Sequence, residues 1–159
     1  MRILAIDPGP TESAYALLNE HGVFRAGRKL PNIELLAQLH HMDSWSCVIE
    51  RIRSYGMPAG AELFETCEWS GRFWQRWTDS IPGNEAHWLP RKDVKLNLCG
   101  NPRAKDANIR QAIIDRFGGK AAAIGTKKNP GPLYGVSGDV WAAIAVGLTW
   151  QDRQRTGAL

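Results

Sequence analysis

The sequence predicts an α/β fold: a mixed five-stranded sheet, an antiparallel meander continued by parallel strands, with helices on both faces. Three observations predict it. Three strand-like segments lie within the first 30 residues, joined by short turn-rich links that favour antiparallel neighbours. Two later strand-like segments alternate with long helical segments, the pattern of a sheet covered by helices. The last apolar segment has helical periodicity, with Val140, Ala143, Ile144, Gly147 and Leu148 at i, i+3, i+4, i+7 and i+8.

The elements follow in order. Arg2–Ile6 is nearly all apolar and reads as a buried strand that ends at Asp7, beside the turn Pro8-Gly9-Pro10. Ala14–Leu18 is the second strand, Asn-Glu-His-Gly the next turn, and "VFRAGRK" the third strand. Pro31 and Asn32 open a helix with Ile33, Leu36 and Leu39 on one face. "SWSCVIERI" is a fourth strand whose apolar run stops at Glu50. After the Gly/Pro-rich loop "SYGMPAG", residues 60–79 form a long aromatic helix with Leu63, Cys67, Ser70, Trp74 and Trp77 on one face and Phe73 beside it. "AHWL" is the fifth strand. "PRAKDANIRQAIIDRFGG" is a helix stopped by glycines, with Ile109, Ala112, Ile113 and Phe117 inward. A loop over residues 118–136 leads to a final helix with Ser137 as its N-cap. Residues 1–153 read as a single domain and residues 154–159 as a frayed tail.

Composition narrows the function classes. The chain has 159 residues, enough for one core, and is 43% hydrophobic and 23% charged, which is ordinary for a globular protein. No apolar run approaches the ~20 residues of a membrane span, and the N-terminus reads without the basic and apolar regions of a signal peptide. The three cysteines, Cys47, Cys67 and Cys99, have neither zinc-site nor disulfide spacing, so they read as buried free thiols of a reducing, cytoplasmic compartment. His21, His40, His41 and His87 lack paired ligand spacing and read as surface or helix residues.

The net charge of +4 is unevenly spread. Residues 91–128 hold 10 Lys/Arg against 3 Asp/Glu, whereas residues 1–90 hold 8 against 11. A basic segment of this kind suits a polyanion or forms a solubilising face.

Three acids occupy similar places. Asp7 ends the first strand, Glu50 ends the apolar run of the fourth, and Asp139 falls in the first turn of the last helix, where the helix dipole favours an ionised carboxylate. Sites in open α/β sheets form at the carboxyl ends of strands. If the first and fourth strands are neighbours, Asp7 and Glu50 meet there and the last helix brings Asp139 over them. Like charges so placed raise one another's pKa; Mg²⁺, which takes hard oxygen ligands, relieves the conflict. A pair of such ions ~4 Å apart serves phosphodiester hydrolysis. Each acid also has a plain structural reading: Asp7 as a turn-former before Pro-Gly, Asp139 as a helix-start acid. Glu50, interrupting an apolar strand, is the hardest to read that way.

At this point four segments, in order, carry a resemblance. "ILAIDPGPTESAYALL" resembles the first two strands of RuvC-like Holliday junction resolvases, and "CVIERI" their fourth strand. "LPRKDVKLNLCGNPRAKDANIRQAIIDRF" resembles their basic segment and "SGDVWAAIAVGL" their last helix. "SYGMPAG", "FETCEWSGRFW" and "GPLYGVSGDVW" are most similar to the phage and prophage branch. The resemblance implies an RNase H-like fold and a Mg²⁺- or Mn²⁺-dependent endonuclease, with two ions, that makes paired cuts in four-way or branched DNA as a homodimer. It implies no nucleotide cofactor and no membrane. It places Asp7, Glu50 and Asp139 on metal-binding catalytic positions, Lys95 on a DNA-contacting lysine position and Lys105 one residue from another. Two positions depart from the family pattern. Val136 stands where a second acid precedes the helix acid by three residues, leaving Asp106 and Glu65 as substitutes. Arg53 stands where an aromatic follows the strand acid by three residues, with Tyr55 close by.

Arg91, Lys92, Lys95, Arg103, Lys105 and Arg110 are the expected phosphate contacts, with Arg53 and Tyr55 near the junction. Neutralising ~6 phosphates gives log K against log[salt] a slope of about −5. Lys127 and Lys128 read as solvated. Five aromatics on the 60–79 helix, Phe64, Trp69, Phe73, Trp74 and Trp77, fit a core, a dimer face or base stacking by Trp. The competing functions are an RNase H-fold nuclease for RNA–DNA hybrids or flaps, a non-catalytic nucleic-acid-binding module, and an ATP-using enzyme with a phosphate loop at "DPGPTES". The last needs two such domains, which this length does not provide.

Overall fold

The computed structural model describes residues 2–42, 46–54, 56, 58–80 and 82–157. Strands β1 (Ile3–Asp7), β2 (Glu12–Leu18) and β3 (Phe24–Pro31) form the antiparallel meander. Helix α1 (Asn32–Gln38) and a 3-10 turn (Leu39–His41) lead to β4 (Ser46–Arg51), and α2 (Ala61–Ser80) leads to β5 (Ala86–Pro90). Helices α3 (Arg91–Cys99), α4 (Asp106–Arg116), α5 (Lys120–Ala123) and α6 (Val140–Thr156) follow. The sheet order is β3-β2-β1-β4-β5, with β4 parallel to β1 and to β5. The expected mixed five-stranded sheet is therefore present, and β1 and β4 are neighbours.

Pleating divides the core in two. Successive strand side chains point to opposite faces. Ile3, Ala5, Val48 and Leu89 pack on one face against α3, α4 and α6. Leu4, Ile6, Cys47 and Ile49 pack on the other against Leu35, Leu39, Phe73 and Trp77. Helix α6 is buried along almost its whole first three turns, because the sheet covers one side and α3 and α4 cover others. Gly147 is the point of closest approach: a Cβ there would lie 2.5 Å from Leu18 Cδ1 and 3.2 Å from Ala5 Cβ.

Several expectations need correction. Residues 91–99 form α3, whose apolar content is too low to give a clear helical stripe; Val94 is its one fully buried side chain. A short α5 lies inside the expected 118–136 loop. On α1 the buried residues are Asn32 and Leu35, with Leu39 in the turn after it, and Ile33 is 65% exposed. On α2 the buried face is Thr66, Ser70, Phe73 and Trp77, leaving Cys67 exposed. Of the cysteines only Cys47 is fully buried, and burial pushes its thiol up. On α4, Ile109, Ile113 and Ile114 are buried, with Ala112 and Phe117 only partly so. His87 lies in β5 and stacks on Trp150 with ring centroids 4.3 Å apart. Helix α6 begins at Val140 and continues through Thr156, past the boundary expected at residue 153.

Candidate active site

The pleat that divides the core also places the acids. Asp7 follows Ala5 by two and Glu50 follows Val48 by two, so both emerge on the α6 face. Ile6 pairs with Ile49, which puts Asp7 and Glu50 side by side at the next step of the parallel ladder. The turn after Asp7 is tied down from within. The Gly9 N–H donates to Ser13 Oγ at 3.0 Å, and Ser13 Oγ donates to Asn32 Oδ1 at 2.6 Å. Asn32 Nδ2 in turn donates to the Gly9 carbonyl at 2.9 Å. A side chain at residue 9 would collide with the Glu12 carbonyl, 2.2 Å from a Cβ built there, so the turn requires glycine.

Asp139 arrives from the start of α6. It occupies the N-cap position rather than the first turn, and Ser137 does not cap the helix; both are corrections. The Val140 and Trp141 N–H groups instead donate to the Ser137 and Gly138 carbonyls, each at 3.3 Å, in a tightened first turn. Trp141 Nε1 donates to the Val136 carbonyl at 3.1 Å, fixing the approach to the helix. The Val136 side chain packs against the core of this face, so this position serves packing where the family pattern has an acid.

Asp7, Glu50, Asp139 and Asp106 line one cavity of about 210 Å³, together with Arg91, Ile109, Gly138, Trp141 and Ala142. The three expected acids are thus brought to one place. Of the two candidate substitutes for the missing acid, Asp106 faces the cavity from the first turn of α4, whereas Glu65 is exposed on α2 and does not line it.

Positive charge enters this cavity from two sides. Arg91 Nη1 donates to Glu50 Oε2 at 2.9 Å, and its Nη2 donates to Asp106 Oδ1 at 2.6 Å. Lys29 Nζ lies 2.7 Å from Asp139 Oδ2. Among the described residues Asp7 has no such partner, and its carboxyl sits well above the ordinary value. Desolvation is the largest cause, followed by the charge of Glu50; Arg91 opposes them, and Asp139 and Asp106 add to the rise. Glu50 is also raised, by desolvation first, with Arg91 acting against it. Burial disfavours the Arg91 charge, yet Glu50 and Asp106 hold the guanidinium above its ordinary value. Lys29 is raised by its hydrogen bond to Asp139.

Among the described residues no three His, Cys, Asp or Glu side chains stand close enough together to hold a metal ion as they are placed. The donor set nonetheless fits one. All four acids are hard oxygen donors, the class Mg²⁺ and Mn²⁺ accept. The cavity holds several times the ~30 Å³ that one liquid water occupies. Burial first, and the neighbouring acids second, raise Asp7, and a cation held beside it would favour its charged form.

The expected DNA contacts divide into groups. Arg91, Lys92, Lys95 and Arg103, with Pro102, line a basic groove of about 730 Å³ beside the acidic cavity, and Arg91 belongs to both. Arg110 is exposed and lies over the Trp141 ring, 4.9 Å from its centroid, at the cavity wall. Lys105 is exposed at the N-cap of α4, where its N–H donates to Asn108 Oδ1 at 2.9 Å. Arg53 is exposed beyond β4 and lines neither space. Tyr55 lies outside the described residues. A second groove of about 550 Å³, absent from the sequence expectations, joins the cavity at Gly138 and Asp139 and includes Arg28, Lys29 and Tyr134, the last 45% exposed. Its signal in the sequence was the basic edge strand "FRAGRK".

Four of the five α2 aromatics are committed to packing. Phe73 and Trp77 are buried, and Trp69 and Trp74 are partly buried against the same core. Only Phe64, 61% exposed, remains for a partner.

No family profile matches the chain, and no curated protein matches it in sequence. Solved structures do match. A Thermus thermophilus RuvC structure superposes with a TM-score of 0.69 at 17% identity, covering 99% of this chain and 97% of that one. T. thermophilus RuvC in complex with a Holliday junction substrate superposes with a TM-score of 0.68 at 18% identity, covering 99% and 96%. The chain therefore has the RNase H-like fold of RuvC.

Proposed function

We propose that this chain is a divalent-metal-dependent, structure-selective endonuclease that resolves four-way or branched DNA by paired phosphodiester hydrolysis. The observation that carries the proposal is the meeting of Asp7, Glu50 and Asp139 in one cavity that shares Arg91 with a basic groove. The fold shared with a RuvC in complex with a Holliday junction substrate supports the choice of DNA branch points.

In this reading Asp7, Glu50 and Asp139 hold Mg²⁺ or Mn²⁺, with two ions in the working site. Metal bound there supplies an activated water and neutralises charge at the leaving oxygen. The chain's own residues set the geometry. The Gly9–Ser13–Asn32 hydrogen bonds fix the turn behind Asp7, and strand pairing fixes Glu50 beside it. Lys92, Lys95 and Arg103 bind backbone phosphates and orient the strand without reading bases. Arg110, Lys105, Arg53 and Tyr55 belong to the same DNA-facing proposal. Paired cuts require two such sites, so the working form is a homodimer. Sedimentation of the free protein tests that part, a monomer at micromolar concentration counting against it.

The decisive experiment compares wild type with Asp7→Asn on labelled four-way junctions, duplexes, flaps and RNA–DNA hybrids, in Mg²⁺ or EDTA. Wild type is expected to nick junctions symmetrically in Mg²⁺ alone, and the variant to bind them without cutting. Equal cutting by both proteins overturns the site. Cutting confined to hybrids or flaps replaces junction resolution with the alternative nuclease activity. Binding without cutting by wild type makes the chain a binding module.

A further inference from the structure

Arg91 is the first residue of α3 and lies on the wall between two spaces of opposite charge. On one side its guanidinium bridges Glu50 at 2.9 Å and Asp106 at 2.6 Å. On the other it shares a groove with Lys92, Lys95 and Arg103. We propose that Arg91 is a positioning residue that couples metal binding to DNA binding. Without DNA it clamps Glu50 to Asp106; a backbone phosphate entering the basic groove draws it off the acids and frees Glu50 for a divalent cation. The inference rests on the metal-nuclease reading of the same site.

The two ends of the clamp differ. The Glu50 side chain is 6% exposed and the Asp106 side chain 79% exposed. The solvated Asp106 contact is therefore cheap to break, whereas removing Arg91 from Glu50 alone strands a charge away from water. Arginine keeps its charge at any working pH, so it leaves by exchanging one anion for another. A phosphate offers the same two-pronged acceptor geometry as a carboxylate. The Glu50 charge left behind needs a replacement cation. Each exchange thus favours the other, and the linkage is reciprocal. Lys29 on Asp139 does not serve this purpose, since both side chains are about half exposed and their pair is weak.

The test measures Mn²⁺ binding by titration calorimetry for wild type, Arg91→Gln, Arg91→Lys and Asp7→Asn. Each is titrated alone and with a DNA duplex first shown by gel to stay uncut during the incubation. Arg91→Gln is expected to bind Mn²⁺ on the order of tenfold tighter than wild type without DNA, within the usual range of coupling between sites. DNA is expected to tighten Mn²⁺ binding by wild type by a similar factor and to leave Arg91→Gln nearly unchanged. Arg91→Lys, a point charge that cannot span both acids, is expected to share the tighter Mn²⁺ binding while holding DNA better than Arg91→Gln. Equal Mn²⁺ affinity in wild type and both Arg91 variants, lost in Asp7→Asn, overturns the clamp and leaves the metal site standing. Weaker Mn²⁺ binding in both variants makes Arg91 a structural support and also overturns it. No Mn²⁺ binding that depends on Asp7 overturns the metal reading itself.

Discussion

Replacing Asp7 by Asn should abolish cutting and, at the same time, stabilise the metal-free protein. The strands carrying Asp7 and Glu50 are hydrogen-bonded neighbours, so their backbones lie ~4.8 Å apart. Two unit charges ~5 Å apart at an effective dielectric of ~20 repel by about 3 kcal/mol. Arg91 offsets much of this, but it is in contact with Glu50 and shares its charge with Asp106. Asp7 is left with the cost of burying its charge, the larger cause of its shift, and with the unrelieved part of this repulsion; we take the two together as about 1 kcal/mol, within the usual gain from a single stabilising substitution. The sign follows from linkage. A carboxyl raised in the folded state holds its proton more tightly there than in the unfolded chain. Its contribution to stability therefore falls as pH rises from the unfolded value through the folded one. Asn removes that loss. In EDTA at pH 8 the variant should melt about 2–4 °C higher than wild type, the shift expected of ~1 kcal/mol at this size. The advantage should shrink toward pH 4, where Asp7 is protonated in wild type. Adding Mg²⁺ should raise the wild-type melting temperature and leave the variant's nearly still. Calorimetric melts across pH, with and without Mg²⁺, read all of this. A variant no more stable than wild type at pH 8, or one whose advantage grows with acid, refutes the reasoning.

Two further predictions concern the supports of the site. Asn32→Ala removes the partner of both the Ser13 hydroxyl and the Gly9 carbonyl at a residue only 1% exposed, so it should cost about 1–3 kcal/mol in urea unfolding; a change under ~0.5 kcal/mol would show that the turn behind Asp7 holds without it. Asp152 on α6 accepts two hydrogen bonds from Arg116 and one from Asn97. Although burial raises its carboxyl, these contacts outweigh that and lower it. The resulting stability is present above the unfolded value and lost as pH falls through the lower folded one. Asp152→Asn should thus cost about 1 kcal/mol at pH 7, after allowing for partial solvent screening, and progressively less below pH 4; a cost independent of pH between 7 and 3 would rule out the charge as its origin.

The parts of the fold legible in the sequence are those governed by local patterning. Short turn-rich links set the meander, and the apolar run ending at Glu50 marks β4, although the strand continues one residue further to Arg51. Helix α3 escaped because "RKDVKLNLC" buries only Val94 completely and packs its remaining length with partly exposed groups. On α2 the expected face shares Ser70 and Trp77 with the buried one but takes Cys67 and Trp74 where Thr66 and Phe73 are buried. Trp, Phe and Cys occur all around that helix, so hydrophobicity alone does not select Thr66, Ser70, Phe73 and Trp77. The start of α6 was misplaced for a related reason. Ser137 is a good capping residue by type, but Gly138 adopts φ +53° and the helix begins beyond it.

The three acids could be found in the sequence because each lies at or next to the end of an element, and element ends are written locally. Their counter-charges could not. Lys29 reaches Asp139 across 110 positions, and Arg91 reaches Glu50 across 41. Neither pairing has a sequence spacing to betray it. The sequence grouped Arg91 with Lys92 and Lys95 because they share one basic run, yet a helix start separates them by direction. Arg91 reaches the acids at the sheet end as well as the groove, while Lys92, Lys95 and Arg103 line the groove without lining the acidic cavity. The same geometry accounts for the placement of Asp106 and Val136. Asp106, from the first turn of α4, brings another carboxylate to the cavity, and the Val136 side chain then completes the apolar packing under α6. No sequence spacing connects Asp106 with Asp7, Glu50 or Asp139; only the fold brings them to one cavity.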